Sequence, residues 1–84
     1  MLTFYITFRS VTYAQRAESV LRRKGIGCAL RRTPKWMEER GCGYCLRVKQ
    51  QSLGEALGLL RSQAIPYKKV YAQNENGAME EWTV

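Results

Sequence analysis

The sequence predicts an α+β domain in which two helices pack on one face of a four-stranded antiparallel sheet. Apolar residues alternate along four short segments, which is typical of half-buried strands, and they recur at helical spacing in two longer segments. Each helical segment opens with Ser or Thr followed three residues later by Glu or Gln, the pattern of a capping box. In chain order the segments read β-α-β-β-α-β, which is the ferredoxin-like sandwich.

The first half of the chain holds a strand, a helix and a second strand. Residues 2–8 alternate apolar and polar side chains and predict the first strand. Residues 12–24 carry apolar side chains at helical spacing, and Thr12 with Gln15 forms the expected capping box. Residues 26–30 then predict the second strand, which is short.

The second half repeats the pattern after a loop at residues 33–43. Residues 44–49 alternate and predict the third strand. Ser52 and Glu55 form a capping box that opens the second helix, and residues 67–72 predict the last strand. In this fold the end of the first strand, the start of the first helix and the loop all lie at one edge of the sheet.

Charge divides the chain into a basic domain and an acidic tail. We expect residues 1–72 to form one domain, and residues 73–84 to form a tail that packs on the sheet or on a partner. Residues 1–72 contain all fourteen Lys and Arg but only four of the seven glutamates, so the domain carries a net charge of +10. A basic domain attracts nucleic acid, an acidic partner or a small oxyanion, although it is also compatible with an ordinary solvated surface.

Missing residue types narrow the classes of function. The chain has neither His nor Asp, and therefore lacks the usual general base and the commonest transition-metal ligand. We therefore expect neither a self-sufficient enzyme nor a bound metal or cofactor. No apolar run reaches the roughly 20 residues of a membrane span, and the first residues lack the pattern of a signal peptide. These observations predict a cytoplasmic protein whose three cysteines are reduced.

The stretch "EERGCGYCLRV", residues 38–48, suggests four different functions, and two of them use several cysteines. Cys42 and Cys45 form a C-x-x-C, the motif of a redox dithiol. Three residues along a strand place side chains on opposite faces, however, so a disulfide would need a kink at Gly43. A zinc site would need four ligands, and Cys28, the third cysteine, is expected to be a small core residue within a strand.

A third interpretation of this stretch is RNA binding. The third-strand signature of RNA-recognition sheets is matched by Arg40, Gly41, Gly43 and Tyr44. Its two base-stacking positions fall at Cys42 and Arg47, which are not aromatic, although Tyr5 lies on the open face of the predicted sheet. A basic, partly aromatic face covered by the tail or by a second copy of the chain is the alternative.

The fourth interpretation is a single reactive thiol at Cys42. Its neighbours Gly41 and Gly43 permit close backbone approach and allow N–H groups to turn toward the sulfur. Groups that favour the thiolate are the helix start and the side chains of Ser10, Thr12, Lys35 and Arg40. The alternative is an inert loop cysteine.

The ordered set of these motifs resembles a family of small domains, the Se/S carrier protein-like family. The matching features are Phe8 and Ser10, Ala14 with Ala17-Glu18, Gly25-Ile26, Thr33-Pro34-Lys35, and Cys42-Gly43, within residues 3–71. The resemblance implies that Cys42 holds sulfur or selenium as a persulfide or selenopersulfide. It also implies donor and acceptor proteins as partners. Independently of it, Trp82 and the open sheet face are compatible with a homodimer.

Overall fold

In a computed structural model of the protein, residues 2–33 and 43–82 are described. The strands are β1 (Thr3–Thr7), β2 (Cys28–Arg32), β3 (Tyr44–Lys49), β4 (Val70–Gln73) and β5 (Met79–Trp82), and the helices are α1 (Val11–Arg23) and α2 (Leu53–Ser62). A 3-10 turn at Gln50–Ser52 precedes α2. The five strands form one sheet in the order β2-β3-β1-β4-β5, with every neighbouring pair antiparallel.

The predicted α+β class with two helices is confirmed, but the predicted strand count of four is wrong. Met79–Trp82 forms a fifth strand, with Trp82 opposite Val70 and Met79 opposite Gln73. The turn before it is closed by Asn74, whose side-chain oxygen accepts hydrogen bonds from the backbone N–H groups of residues 76 and 78 at 2.9 and 3.0 Å. Gly77 supplies a positive φ of 86° in the same turn, a conformation that suits glycine. Since β5 is four residues long and half of it is glutamate, its own pattern does not predict a strand.

The core lies between the helices and one face of the sheet. Alternate residues of the strands, beginning with Phe4 and Ile6 on β1, contact one apolar stripe of each helix, as period-two and 3.6-residue patterns require. The strand positions of the core are Phe4, Ile6, Leu46, Val48, Val70 and Ala72, and the helix positions are Ala14, Ala17, Leu21, Leu53, Ala56, Leu57 and Leu60. Both helices therefore pack on the same face, and the other face, called here the open face, carries Thr3, Tyr5 and Arg47.

Helix α1 starts one residue earlier than its sequence pattern predicts. Ser10, not Thr12, is the N-cap: its backbone is extended (φ −144°, ψ 156°) and its hydroxyl accepts a hydrogen bond from the N–H of Tyr13 at 3.3 Å. Ser52 does precede α2, but its side chain makes no capping hydrogen bond. The 3-10 turn that precedes α2 leaves Ser52 near helical angles rather than extended ones.

The capping role of Ser10 predicts a measurable loss of stability on truncation. Ser10→Ala removes the acceptor for the Tyr13 N–H, and we expect it to lower the free energy of unfolding by about 1 kcal/mol. Thr12→Ala is the matched control because Thr12 is exposed on the first turn, and its effect should stay within about 0.5 kcal/mol. Urea denaturation of both variants measures the difference, and equal losses would contradict the assignment of Ser10 as the cap.

Strands β2 and β4 are shifted from the positions that the sequence predicts. The second strand was predicted at 26–30 and is Cys28–Arg32, because Ile26 instead completes the end of α1 with a hydrogen bond to the Leu21 carbonyl at 2.9 Å. The last predicted strand, 67–72, is Val70–Gln73. No helix within residues 2–33 and 43–82 has the length and apolar character needed to span a membrane.

Candidate functional site

One end of the sheet, called here the loop end, brings together the start of α1, the end of β2 and the start of β3. The register of β1 and β3 pairs Thr7 with Cys45, so Phe8, which follows Thr7, and Tyr44, which precedes Cys45, lie at this end. The N–H of Thr33 donates to the Gly43 carbonyl at 2.8 Å, which extends the β2–β3 pairing to the base of the loop. Ser10 follows β1 directly and begins α1.

The predicted site residues divide into those that the structure describes and those that it does not. Gly41, Cys42, Lys35 and Arg40 lie outside the described residues. Gly43 opens β3 with φ +80°, a left-handed conformation that would strain any residue with a Cβ. The hydroxyl of Ser10 is used by the helix cap, and Thr12 is exposed on the first turn of α1. Of these residues, the structure therefore places Ser10 and Gly43 at the loop end, with Thr12 on the adjacent helix turn.

Basic residues that sequence patterns did not indicate also lie at the loop end. Lys68 and Lys69 arrive there because backbone hydrogen bonds of 2.7 and 2.8 Å join them to Thr7. Lys69 contacts Glu81 of β5 at 3.3 Å, so one of these charges is already paired. Only the β1–β4 register places these lysines here, since they stand more than sixty residues from Thr7 in sequence.

Arg32 adds a fixed guanidinium at the same end. It lies 5.6 Å from the centre of the Tyr44 ring, and its Nη1 donates to the Tyr44 hydroxyl at 3.2 Å. A cation held over an aromatic face loses less conformational freedom when it binds an anion. Beside it, the Thr33 hydroxyl is buried and has no hydrogen-bond partner in the described part of the chain. The loop end thus offers positive charge, which suits an anionic group.

The two cysteines that the structure describes lie on opposite faces of the sheet. Cys45 has no solvent exposure and stands opposite Thr7 on the open face. Cys28 stands opposite Val48 on the helix face, where it is partly exposed. This arrangement separates their sulfur atoms, and no cluster of three or more potential metal ligands occurs among residues 2–33 and 43–82.

The environment of Cys28 makes it a weak nucleophile. Burial raises the pKa of the Cys28 thiol above its ordinary value, although nearby Arg22 acts in the opposite direction. Glu18, which forms an ion pair with Arg22 at 3.3 Å, raises the pKa further. Less thiolate is therefore present at neutral pH than on an exposed cysteine.

Two pH effects follow from the raised pKa of Cys28. Its alkylation should be slower than that of free cysteine at pH 7.5–8.5, a range set by the roughly 8.5 pKa of a free thiol, and should rise only at more alkaline pH. As the pH rises, the Cys28 thiol loses its proton in the unfolded chain before it does so in the folded protein. The stability that Cys28 contributes is therefore fully present at neutral pH, and it declines once the pH rises above the thiol pKa of the unfolded chain. Peptide-resolved iodoacetamide kinetics measure the first effect, and a rate at Cys28 equal to that of free cysteine would contradict it.

Comparison with known proteins assigns the chain to a family. A family model described as "Putative Se/S carrier protein-like" matches residues 3–72, which is most of the chain. The match includes β1, β2, β3, both helices and all of β4 except Gln73. Neither curated proteins nor solved structures gave a match. On the evidence of the family model, this chain belongs to the Se/S carrier protein-like family.

Proposed function

We propose that the chain carries sulfur or selenium on Cys42 and passes it from a donor protein to an acceptor enzyme. The observation that carries this proposal is the state of the other two cysteines. Cys45 is fully buried, and Cys28 is half-buried with a raised pKa. A carrier thiol must reach a sulfur on another protein, so neither is suited to the task. Membership of the Se/S carrier protein-like family supports the same role.

The proposed chemistry needs no metal, cofactor or general base on the chain itself. The Cys42 thiolate attacks the outer sulfur of a donor persulfide, forming a new S–S bond while the S–S bond of the donor breaks. The donor cysteine leaves as a thiolate and takes the persulfide proton, so no net oxidation occurs. In the second step a nucleophile of the acceptor attacks the outer sulfur and Cys42 leaves as a thiolate. Selenium follows the same sequence as a selenopersulfide.

The charges of the loop end support an anionic carrier group. Arg9 lies between β1 and the N-cap residue Ser10, and Lys68 is hydrogen-bonded to the end of β1 at Thr7. Arg32 is held over the Tyr44 ring. Lys35 and Arg40 add two more bases, seven and two residues before Cys42 in sequence. Positive charge favours thiolate and persulfide anion over their protonated forms. A reducing compartment such as the cytoplasm would keep the carrier thiol available between transfers.

Sulfur transfer to the purified protein tests the proposal. The full chain is incubated with a cysteine desulfurase and cysteine, and its intact mass is then measured. We expect a gain of one sulfur atom per chain that is reversed by reductant and maps to the peptide containing Cys42. A chain that gains no sulfur, or that gains it on the Cys28 peptide, would contradict the proposal.

A further inference from the structure

The open face contains a concave surface of about 420 Å³ that the carrier function does not use. Its polar lining comes from three adjacent strands: Thr3 and Tyr5 on β1, Arg47 and Lys49 on β3, and Gln73 on β4. In the sheet register Thr3 stands opposite both Lys49 and Gln73, while Thr7 and Cys45 mark the loop end. The concave surface therefore occupies the middle and far rows of the sheet, away from the loop end.

Three exposed cations run along this side of the open face. Arg47 and Lys49 line the concave surface and lie two residues apart on β3, about 7 Å along the strand. Arg31 lies outside it on the edge strand β2, opposite Cys45 in the row nearest the loop end. None of the three forms an ion pair within the described residues. Strands β1 to β4 contribute no carboxylate to this surface. Glu81 of β5 lies on the same face opposite Tyr71, but it is paired with Lys69 at 3.3 Å.

An aromatic ring is held at the centre of the same surface. Tyr5 is half-buried, and its hydroxyl donates to Oε1 of Gln73 at 3.0 Å. The Nε2 of Gln73 in turn donates to the Gly77 carbonyl at 3.4 Å, which fixes the orientation of the amide. Arg47 is the direct cross-strand neighbour of Tyr5, and Ala29 beyond it is small enough to leave space above the sheet. The ring is thus anchored beside a cation and a recess.

We propose that this surface, formed by Tyr5, Arg47, Lys49 and Gln73 with Arg31 at its edge, binds single-stranded RNA. An anchored aromatic ring stacks a base, and cations along one strand neutralise the phosphates that connect successive bases. The hydroxyl of Thr3 and the amide of Gln73 provide hydrogen-bonding groups for a base edge or a ribose 2′-hydroxyl. An acidic peptide would use the cations but would have no use for the ring. The surface does not include Cys42, so its function is independent of the carrier proposal.

Fluorescence anisotropy with a labelled single-stranded RNA of about ten nucleotides tests this proposal on the full chain. We expect binding at about 50 mM salt that weakens as salt rises, with a log–log slope near −2 if three cations contact phosphates. Arg47→Gln should weaken binding and reduce that slope by about 0.7. Arg16→Gln is the matched control because it removes the same charge from the exposed side of α1, and it should leave the slope unchanged.

The contribution of the ring is tested separately. Tyr5→Phe keeps the stacking surface and should retain RNA affinity, whereas Tyr5→Leu should lose roughly 5- to 150-fold, the range expected for one stacked base. Circular dichroism confirms that each variant is folded. Three results would overturn the proposal: no binding at low salt, an equal loss in Arg16→Gln and Arg47→Gln, or equal affinity for DNA of the same sequence. If a glutamate-rich peptide at equal charge concentration displaced the RNA, the ligand of this surface would instead be an acidic partner protein.

Discussion

Replacing Cys42 with serine is expected to abolish sulfur loading of the chain. Serine keeps the size of the side chain, but its hydroxyl neither ionises at neutral pH nor forms a stable bond to a transferred sulfur. Intact mass after treatment with desulfurase and cysteine should therefore show one added sulfur on the wild-type protein and none on Cys42→Ser. Because serine is close to cysteine in size and glycines flank Cys42 in sequence, the variant should fold normally.

The other two cysteines provide the controls. Cys28→Ser changes a half-buried thiol of raised pKa, and Cys45→Ala shortens a buried side chain by one sulfur atom. Both variants should load sulfur like the wild type, although Cys45→Ala should lose about 1 kcal/mol of stability through the small cavity. Loss of loading in Cys45→Ala, with circular dichroism unchanged, would indicate a C-x-x-C dithiol instead of a single carrier thiol.

Alkylation kinetics separate a carrier thiol from an inert loop cysteine. If the bases of the loop end lower the pKa of Cys42, this cysteine should react fastest of the three at mildly acidic pH. Cys45 should react only when the sheet opens, because it has no exposed surface. Equal and slow reaction of all three at every pH would remove the chemical basis of the carrier proposal.

Phe4→Ala is expected to destabilise the protein more than Ser10→Ala or Cys45→Ala. Phe4 is 2% exposed on the central strand β1, and its ring meets Trp82 of β5 edge to face with centroids 5.2 Å apart. Truncating a buried Phe costs about 3–5 kcal/mol. An 84-residue domain has a total stability of roughly 4–13 kcal/mol, so a substantial share of it would be lost. The midpoint of urea denaturation measures this effect.

A double-mutant cycle tests whether β5 belongs to the cooperative core. Trp82→Ala alone, Phe4→Ala alone and the pair together should show a coupling of about 0.5–1.5 kcal/mol between the rings. Val11→Ala is the control for an apolar truncation at an exposed site, since Val11 is 36% exposed, and it should change stability by less than about 0.5 kcal/mol. A coupling near zero would mean that the last strand contributes little to the folded core.

Elements whose side chains alternate between core and solvent could be predicted from the sequence alone. β3 was predicted at 44–49 and is Tyr44–Lys49, because its apolar side chains face the helices and its basic ones face away. The two helices were predicted within a few residues, since each buries one continuous apolar stripe. The overall family was also evident from the order of short motifs, and the family model matches nearly the same span.

Tertiary structure alone decided the features that depend on partners distant in sequence. β5 exists because β4 offers it a free row of hydrogen-bonding groups, which a four-residue segment rich in glutamate cannot signal by itself. Cys45 follows the pattern of an outward-facing residue yet is fully buried. Lys68 and Lys69 reach the loop end, and Tyr5 meets Gln73, only through the β1–β4 register. Local patterns report which face a side chain occupies, whereas burial and neighbours across the sheet are set by pairing between segments far apart in the chain.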